Sequence, residues 1–218
     1  MWVKIISYLY PITKKIESEF SGKLELTTIN GKRLLDTEHT NYSYGSLQRV
    51  LKFSLKQLDL SNTKSILLLG LGGGSVIKTI REDFKFELSI TAIEIDPVVI
   101  EIAKKEFNVQ DDKTTKIIKD DAFNFVKKNT TKFDLIIVDI FIDNIIPDQF
   151  LSLEFWANVL DNLEPNGTII FNTLCFPSTN LIHIKEKFRR RGIDFQVHRF
   201  VEKSNKVIIA KKNKIEST

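Results

Sequence analysis

Hydrophobic residues along this chain fall into two rhythms. Five short apolar runs, SILLLG (65–70), ELSITAIEID (87–96), TKIIKDD (115–121), FDLIIVDIF (133–141) and GTIIFNTL (167–174), have the length and continuity of strands buried on both faces. Between them lie SVIKTIRED (75–83), PVVIEIAKKEF (97–107), AFNFVKKN (122–129) and LSLEFWANVLDNL (151–163), which read as helices, the second opened by Pro97 in its first turn. Ahead of the first run, SLQRVLKFSLKQL (46–58) sets Leu47, Val50, Leu51, Leu55 and Leu58 on one helical face, and a loop follows over 59–64. Parallel neighbours need crossover helices, so this alternation predicts a doubly wound, mostly parallel, Rossmann-like α/β sheet. It ends at DFQVHRFV (194–201) and NKVIIAKK (205–212), two strands joined by a few turn residues. These predict an antiparallel C-terminal hairpin at one edge and bring the sheet to seven strands.

The N-terminal part follows the shorter rhythm. KLELTTI (23–29) alternates in the strand manner and stops at Asn30-Gly31, a strong two-residue hairpin signal, after which KRLLDTEH (32–39) reads as the returning strand. The expected organisation is an N-terminal segment with a small β-ribbon, residues 1–45, followed by the Rossmann-like domain, 46–218. The opening MWVKIISYLY is apolar but short, contains Lys4, and runs into Pro11 without a small-residue cleavage site, so it reads neither as a signal peptide nor as a membrane span.

Composition narrows the picture. With 218 residues and 42% hydrophobic content, the chain can bury one substantial core. Its single cysteine, Cys175, excludes an internal disulfide, and three scattered histidines, His39, His183 and His198, supply no zinc ligand set, so no metal is expected and a reducing, cytoplasmic setting fits. The net charge of +4 gathers in Lys14-Lys15, Lys32-Arg33, KEKFRRR (185–191) and KKNK (211–214). KEKFRRR reads as the last turn of a helix ending at Gly192, where cations complement the helix dipole and stay solvated, which argues against a nucleic-acid partner.

Ligands of doubly wound sheets bind beyond the carboxyl ends of the strands. Those ends carry Gly70, Gly72, Gly73 and Gly74, then Glu94, then Asp120-Asp121, then Asp139, each directly after an apolar run. The glycines permit close approach of backbone to a ligand, and no Lys-Ser or Lys-Thr follows them as in a phosphate-gripping loop. Glu94, twenty residues past Gly74, is placed to accept hydrogen bonds from both hydroxyls of a ribose, in a dinucleotide or in S-adenosylmethionine (AdoMet). Asp121 is placed to accept an adenine amine over a floor made by residues such as Ile95 and Phe123, with Ala122 adjacent. Asp120 could take that place, or the pair could cap the following helix. Asp139 would face the reactive end of the ligand, as general base or amine holder, with Asp143 and Asp148 in the loop beyond it. Asp96, next to Pro97, reads as a helix cap.

These residues resemble the spermidine synthase (polyamine aminopropyltransferase) family, whose fold is that of class I AdoMet-dependent transferases. The resemblance runs over roughly 23–212 and includes LLLGLGGGSV, AIEIDPVVIEIAKKEF, IIKDDAFNFV, KFDLIIVDIF and FLSLEFWANVLDNLEPNGTIIFNT. It implies AdoMet or decarboxylated AdoMet as cofactor, a small-molecule acceptor and a homodimer, to which exposed Trp2, Tyr8 and Tyr10 could contribute. The family's Asp in the glycine motif falls on Gly73, and the second Asp of its catalytic loop falls on Ile142, with Asp143 one residue late. Of its acceptor-site segment, LLDTEHTNYSYGSL supplies Tyr44, with Tyr42 nearby. The cofactor positions are thus kept and the diamine-holding ones largely replaced. The expected activity is methyl transfer, with aminopropyl transfer involving Asp139, Asp143 and Tyr44 as the alternative and a non-catalytic nucleoside-binding module as a third.

Overall fold

A computed structural model of the chain describes residues 2–37, 41–43, 46–143, 145–175 and 181–212. After a short helix, α1 (Trp2–Ile6), comes an antiparallel sheet in the order β1 (Ile12–Ser18), β2 (Gly22–Ile29), β3 (Lys32–Thr37), β4 (Asn41–Ser43). The β2–β3 turn lies at Asn30-Gly31, with φ of 49° and 72°, as a tight hairpin of this kind requires. Strand β1 carries no apolar alternation because it is an edge strand with mostly solvated side chains.

The main sheet has seven strands in the order β10-β11-β9-β8-β5-β6-β7. Its parallel members are β5 (Ser65–Leu69), β6 (Ser89–Glu94), β7 (Thr115–Lys119), β8 (Phe133–Val138) and β9 (Leu163–Leu174). The antiparallel edge is β10 (Ile193–Val201) and β11 (Asn205–Lys212), with β11 paired to β9. Around the sheet stand α2 (Ser46–Lys56), α3 (Ser75–Lys78), α4 (Pro97–Phe107), α5 (Ala122–Lys128), α6 (Leu153–Asp161) and α7 (Ile182–Arg190). Side chains of β5 alternate between two cores. Leu67 and Leu69 join Trp156, Phe155 and Phe188 on one face, and Ile66 and Leu68 join Val50, Leu55 and Val76 on the other. Each fully buried side chain of this size contributes about 1.5–3 kcal/mol relative to exposure.

The N-terminal ribbon is widened to four strands by β1 and β4, which the sequence reading did not include, and three elements of the main domain also depart from it. The helix expected over 75–83 is α-helical only in α3 and widens into a π turn over Thr79–Asp83. There the Arg81 guanidinium donates to the carbonyls of Phe86 (2.8 Å) and Leu88 (2.6 Å), tying the turn to the entry of β6. The helix expected over 151–163 is a 3-10 turn, Asp148–Leu151, followed by α6, which Ser152 caps by accepting from the Phe155 amide at 3.1 Å. Strand β9 starts at Leu163, and the Pro165-Asn166-Gly167 turn survives inside it as an irregularity with Asn166 at φ 68°.

The basic end of α7 is locally compensated. Arg190 pairs with Glu186 (2.6 Å), Arg191 with Asp161 (3.3 Å), and Arg189 lies over the Phe195 ring. No helix among the described residues is long and apolar enough to cross a membrane.

Candidate functional site

Strand order decides which strand ends meet. Because β5 has β8 on one side and β6 on the other, the strand order reverses between β5 and β8, and a crevice opens there at the carboxyl ends. Along it, in order, stand Asp139 after β8, Gly70 after β5, Glu94 at the end of β6, and Asp120 and Asp121 after β7. Three interstrand steps separate the first acid from the last, about 14 Å, enough for a purine, a ribose and a short side chain laid end to end. The crevice is an open-sided cleft lined by Gly70, Gly72, Glu94, Ile95, Asp120, Asp121, Ala122 and Asp139 among others.

Gly70 is fixed by sterics. Its φ is +93°, and a Cβ there would collide with the backbone carbonyl of Asp139, so only glycine lets β5 and β8 end side by side. Gly73 and Gly74, expected at the ligand, do not line the cleft. Gly74 has its own reason: at φ +77° it lies against Val109, where a Cβ would meet the Val109 side chain.

Glu94 organises the glycine loop. Its Oε2 accepts from the amides of Leu71 (3.0 Å) and Gly72 (3.4 Å), and its Oε1 from the amide of Asp96 (3.1 Å). Burial raises its pKa above the usual carboxylate value, while these backbone hydrogen bonds pull the other way. At the far end, Asp121 Oδ1 caps α5 through the Asn124 amide (2.9 Å), and its Oδ2 accepts from Gln149 Nε2 (3.3 Å). Asp120 Oδ1 accepts from the Asp121 amide. Capping and cleft lining thus coexist in Asp121. Ile95 and Ala122 flank it in the lining, whereas Phe123 turns into the core against Phe155.

Asp139 stands half-buried at the other end. Burial raises its pKa to about 6, opposed by one side-chain hydrogen bond, from Asn172 Nδ2 to Oδ1 at 2.8 Å. Asn172 is fully buried, and its own Oδ1 accepts from Asn205 Nδ2 at 3.0 Å. Asp143 is not brought into the cleft lining: it sits at φ 54° in the turn beyond β8, where its Oδ1 accepts from Thr37 Oγ1 at 2.6 Å. Tyr44 lies outside the described residues.

Residues that sequence reasoning missed complete the walls. Leu47 and Leu51 reach the cleft from α2, Ile140, Phe141 and Ile142 follow Asp139, and Pro147, Gln149 and Phe150 return toward Asp121. Phe20 and Ser21 come from the β1–β2 turn. Only Asn172 left a local trace, an amide in the middle of the apolar run IIFNTL. No Lys, Arg or His is in this lining among the described residues, while four carboxylates are. Such a site suits a cationic ligand and disfavours the pyrophosphate of a dinucleotide. Among the described residues there is no His, Cys, Asp and Glu cluster suited to a metal ion.

Comparison with known proteins identifies the family. The family model for the spermine/spermidine synthase domain matches residues 49–201. Polyamine aminopropyltransferase of Vibrio vulnificus (strain CMCP6) is 31% identical over 151 residues, 66% of this chain and 49% of that protein. The eEF1A lysine and N-terminal methyltransferase homolog of Drosophila melanogaster is 26% identical over 190 residues, 79% of this chain and 28% of that protein. The chain therefore spans half or less of the length of these two curated relatives. Among solved structures, human methyltransferase-like protein 13 in complex with SAH superposes with a TM-score of 0.60 at 21% identity, covering 79% of this chain and 82% of that one.

Proposed function

The chain belongs to the spermine/spermidine synthase domain family, and from that premise we propose that it is a transferase that moves the sulfonium methyl group of AdoMet to a small acceptor. The carrying observation is the distribution of charge along the cleft. Its described lining is acidic without a basic residue, and at the β8 end Asp139 is the one carboxylate, followed by Ile140, Phe141 and Ile142. An acidic cleft favours a sulfonium cofactor. A single acid at the reacting end disfavours a diamine dication, since it leaves one of the two ammonium groups without a carboxylate partner.

In this reading Glu94 accepts from the ribose hydroxyls, Asp121 Oδ2 from the adenine amine, and Ile95 and Ala122 flank the base. AdoMet, when bound, supplies a methyl carbon on a cationic sulfur: the acceptor's lone pair forms the new bond to that carbon while the S–C electron pair stays on sulfur. Leu47, Leu51 and Phe141 exclude water from the reacting end. Asp139 holds the acceptor N–H or O–H in line and takes the proton it releases, which suits a carboxyl group whose pKa is about 6. The test is incubation with methyl-labelled AdoMet and an acceptor panel of amines, phenols and acids. Label transfer supports the reading, and its absence across the panel counts against it.

Aminopropyl transfer is the second reading, favoured by the 31% identity to the Vibrio vulnificus enzyme. It requires Asp143 to leave Thr37 and turn into the cleft, with Tyr44 on the acceptor side. Spermidine formed from decarboxylated AdoMet and putrescine would establish it in place of methyl transfer. Exposed Trp2, Tyr8 and Tyr10 support a homodimer, which sedimentation would detect.

A further inference from the structure

Among the described residues, the N-terminal sheet reaches the cleft through its β1–β2 turn, and the chemistry there is specific. Asp96 is fully buried two residues beyond Glu94, and its carboxylate serves two elements at once. Oδ1 caps α4 by accepting from the amides of Val98 (2.9 Å) and Val99 (3.4 Å). Oδ2 accepts from two hydroxyls of the β1–β2 turn, Ser18 Oγ and Ser21 Oγ, the latter at 2.5 Å. Ser18 Oγ also accepts from the amides of Phe20 (3.2 Å) and Ser21 (3.3 Å), so one hydroxyl both folds the turn and seats it. Behind it, Leu24, Leu26 and Leu35 of the small sheet pack on Val99 and Ile102 of α4.

The seated turn places Phe20 and Ser21 in the lining of the same cleft as Glu94 and Ile95. The Asp96 amide in turn donates to Glu94 Oε1 at 3.1 Å. One residue therefore holds the ribose-facing acid through its backbone and the turn through its side chain.

We propose that the 18–21 turn, carrying Phe20 and Ser21 and latched on Asp96, is a wall of the nucleoside site, so that docking of the N-terminal sheet and binding of an adenosyl ligand are one coupled event. The inference rests on the nucleoside reading above and adds to it residues from outside the Rossmann-like domain. Coupling of this kind is reciprocal: whatever factor the latched turn adds to ligand affinity, the ligand returns to the latch. The Phe20 and Ser21 amides, which donate to Ser18 Oγ, exchange with solvent only when the turn opens, so they report the latch directly.

The experiment combines S-adenosylhomocysteine titration with hydrogen exchange on the full chain, comparing wild type, Ser18→Ala/Ser21→Ala and Phe20→Ala. Loss of two hydrogen bonds to a buried carboxylate should weaken binding by about tenfold or more. Phe20→Ala should weaken it severalfold with an unchanged melting temperature, because Phe20 is 36% exposed and leaves no core cavity; this variant keeps the proposal testable if the double variant misfolds. Saturating ligand should slow exchange of the Phe20 and Ser21 amides in the wild type. Tight binding by wild type with Phe20→Ala within twofold of it, and no ligand-dependent protection of the turn, overturns this inference and leaves the nucleoside reading standing. Absence of binding by the wild type overturns both.

Discussion

Asn172 donates its side-chain N–H to Asp139 across 2.8 Å, and Asn205 fixes the orientation of that amide by donating to its oxygen at 3.0 Å. Two amides in series thus bias a half-buried acid toward its ionised form, against the desolvation that raises its pKa to about 6. Replacing Asn172 by Ala removes that bias. The midpoint of the Asp139-dependent pH profile of methyl transfer should move upward while the high-pH plateau is retained. A fall in rate at every pH with an unmoved midpoint would mean that Asn172 serves packing alone.

Asp139 itself trades stability for chemistry. Its folded-state pKa of about 6 lies above the ordinary value of 3.8, so folding favours the protonated acid. That contribution is complete below about pH 4 and is lost as the pH rises through 6. The penalty at neutral pH is at most about 3 kcal/mol. Asp139→Asn should therefore raise the melting temperature at pH 8, with the gain vanishing near pH 4, while abolishing transfer. An equal change in melting temperature at both pH values would contradict this.

The same acid should distinguish a sulfonium from a thioether. As the pH rises through about 6 and Asp139 ionises, affinity for AdoMet should rise relative to S-adenosylhomocysteine, because only the former places a positive charge on sulfur. In Asp139→Asn the ratio should become independent of pH. Parallel titrations at pH 5 and pH 8 measure it.

At the nucleoside end, Asp121 has two separable duties. Asp121→Asn keeps an oxygen to cap α5 and should leave the melting temperature nearly unchanged while weakening S-adenosylhomocysteine by about tenfold, the worth of a hydrogen bond to a charged group. Asp121→Ala should weaken the ligand similarly and also lose about 1 kcal/mol from the cap. Equal affinity in all three proteins would remove Asp121 from the site.

Much of this was legible in the sequence where the information is local. The run SILLL must be a doubly buried strand because both parities are apolar, and Asn30-Gly31 must turn because both residues take positive φ. Glu94, Asp121 and Asp139 could be read because each directly follows such a strand. Asp143 was readable as a loop acid but not as the partner of Thr37, 106 positions away in sequence. Phe20, Ser21 and Gln149 were invisible for the same reason: their place in the cleft depends on how distant elements pack. Edge strand β1 hid because a solvated strand needs no apolar face, and the π turn at Thr79–Asp83 because Arg81 also reaches the distant Thr114 carbonyl at 3.2 Å.

The central claim, that the acidic cleft between β8 and β7 holds an adenosyl sulfonium, is tested most directly by calorimetric titration of AdoMet into the wild-type chain near pH 7.5. The expected result is one site with a Kd in the micromolar range, about −8 kcal/mol, weakened in Glu94→Ala. Absence of binding at millimolar AdoMet, or binding that Glu94→Ala leaves unchanged, would contradict it.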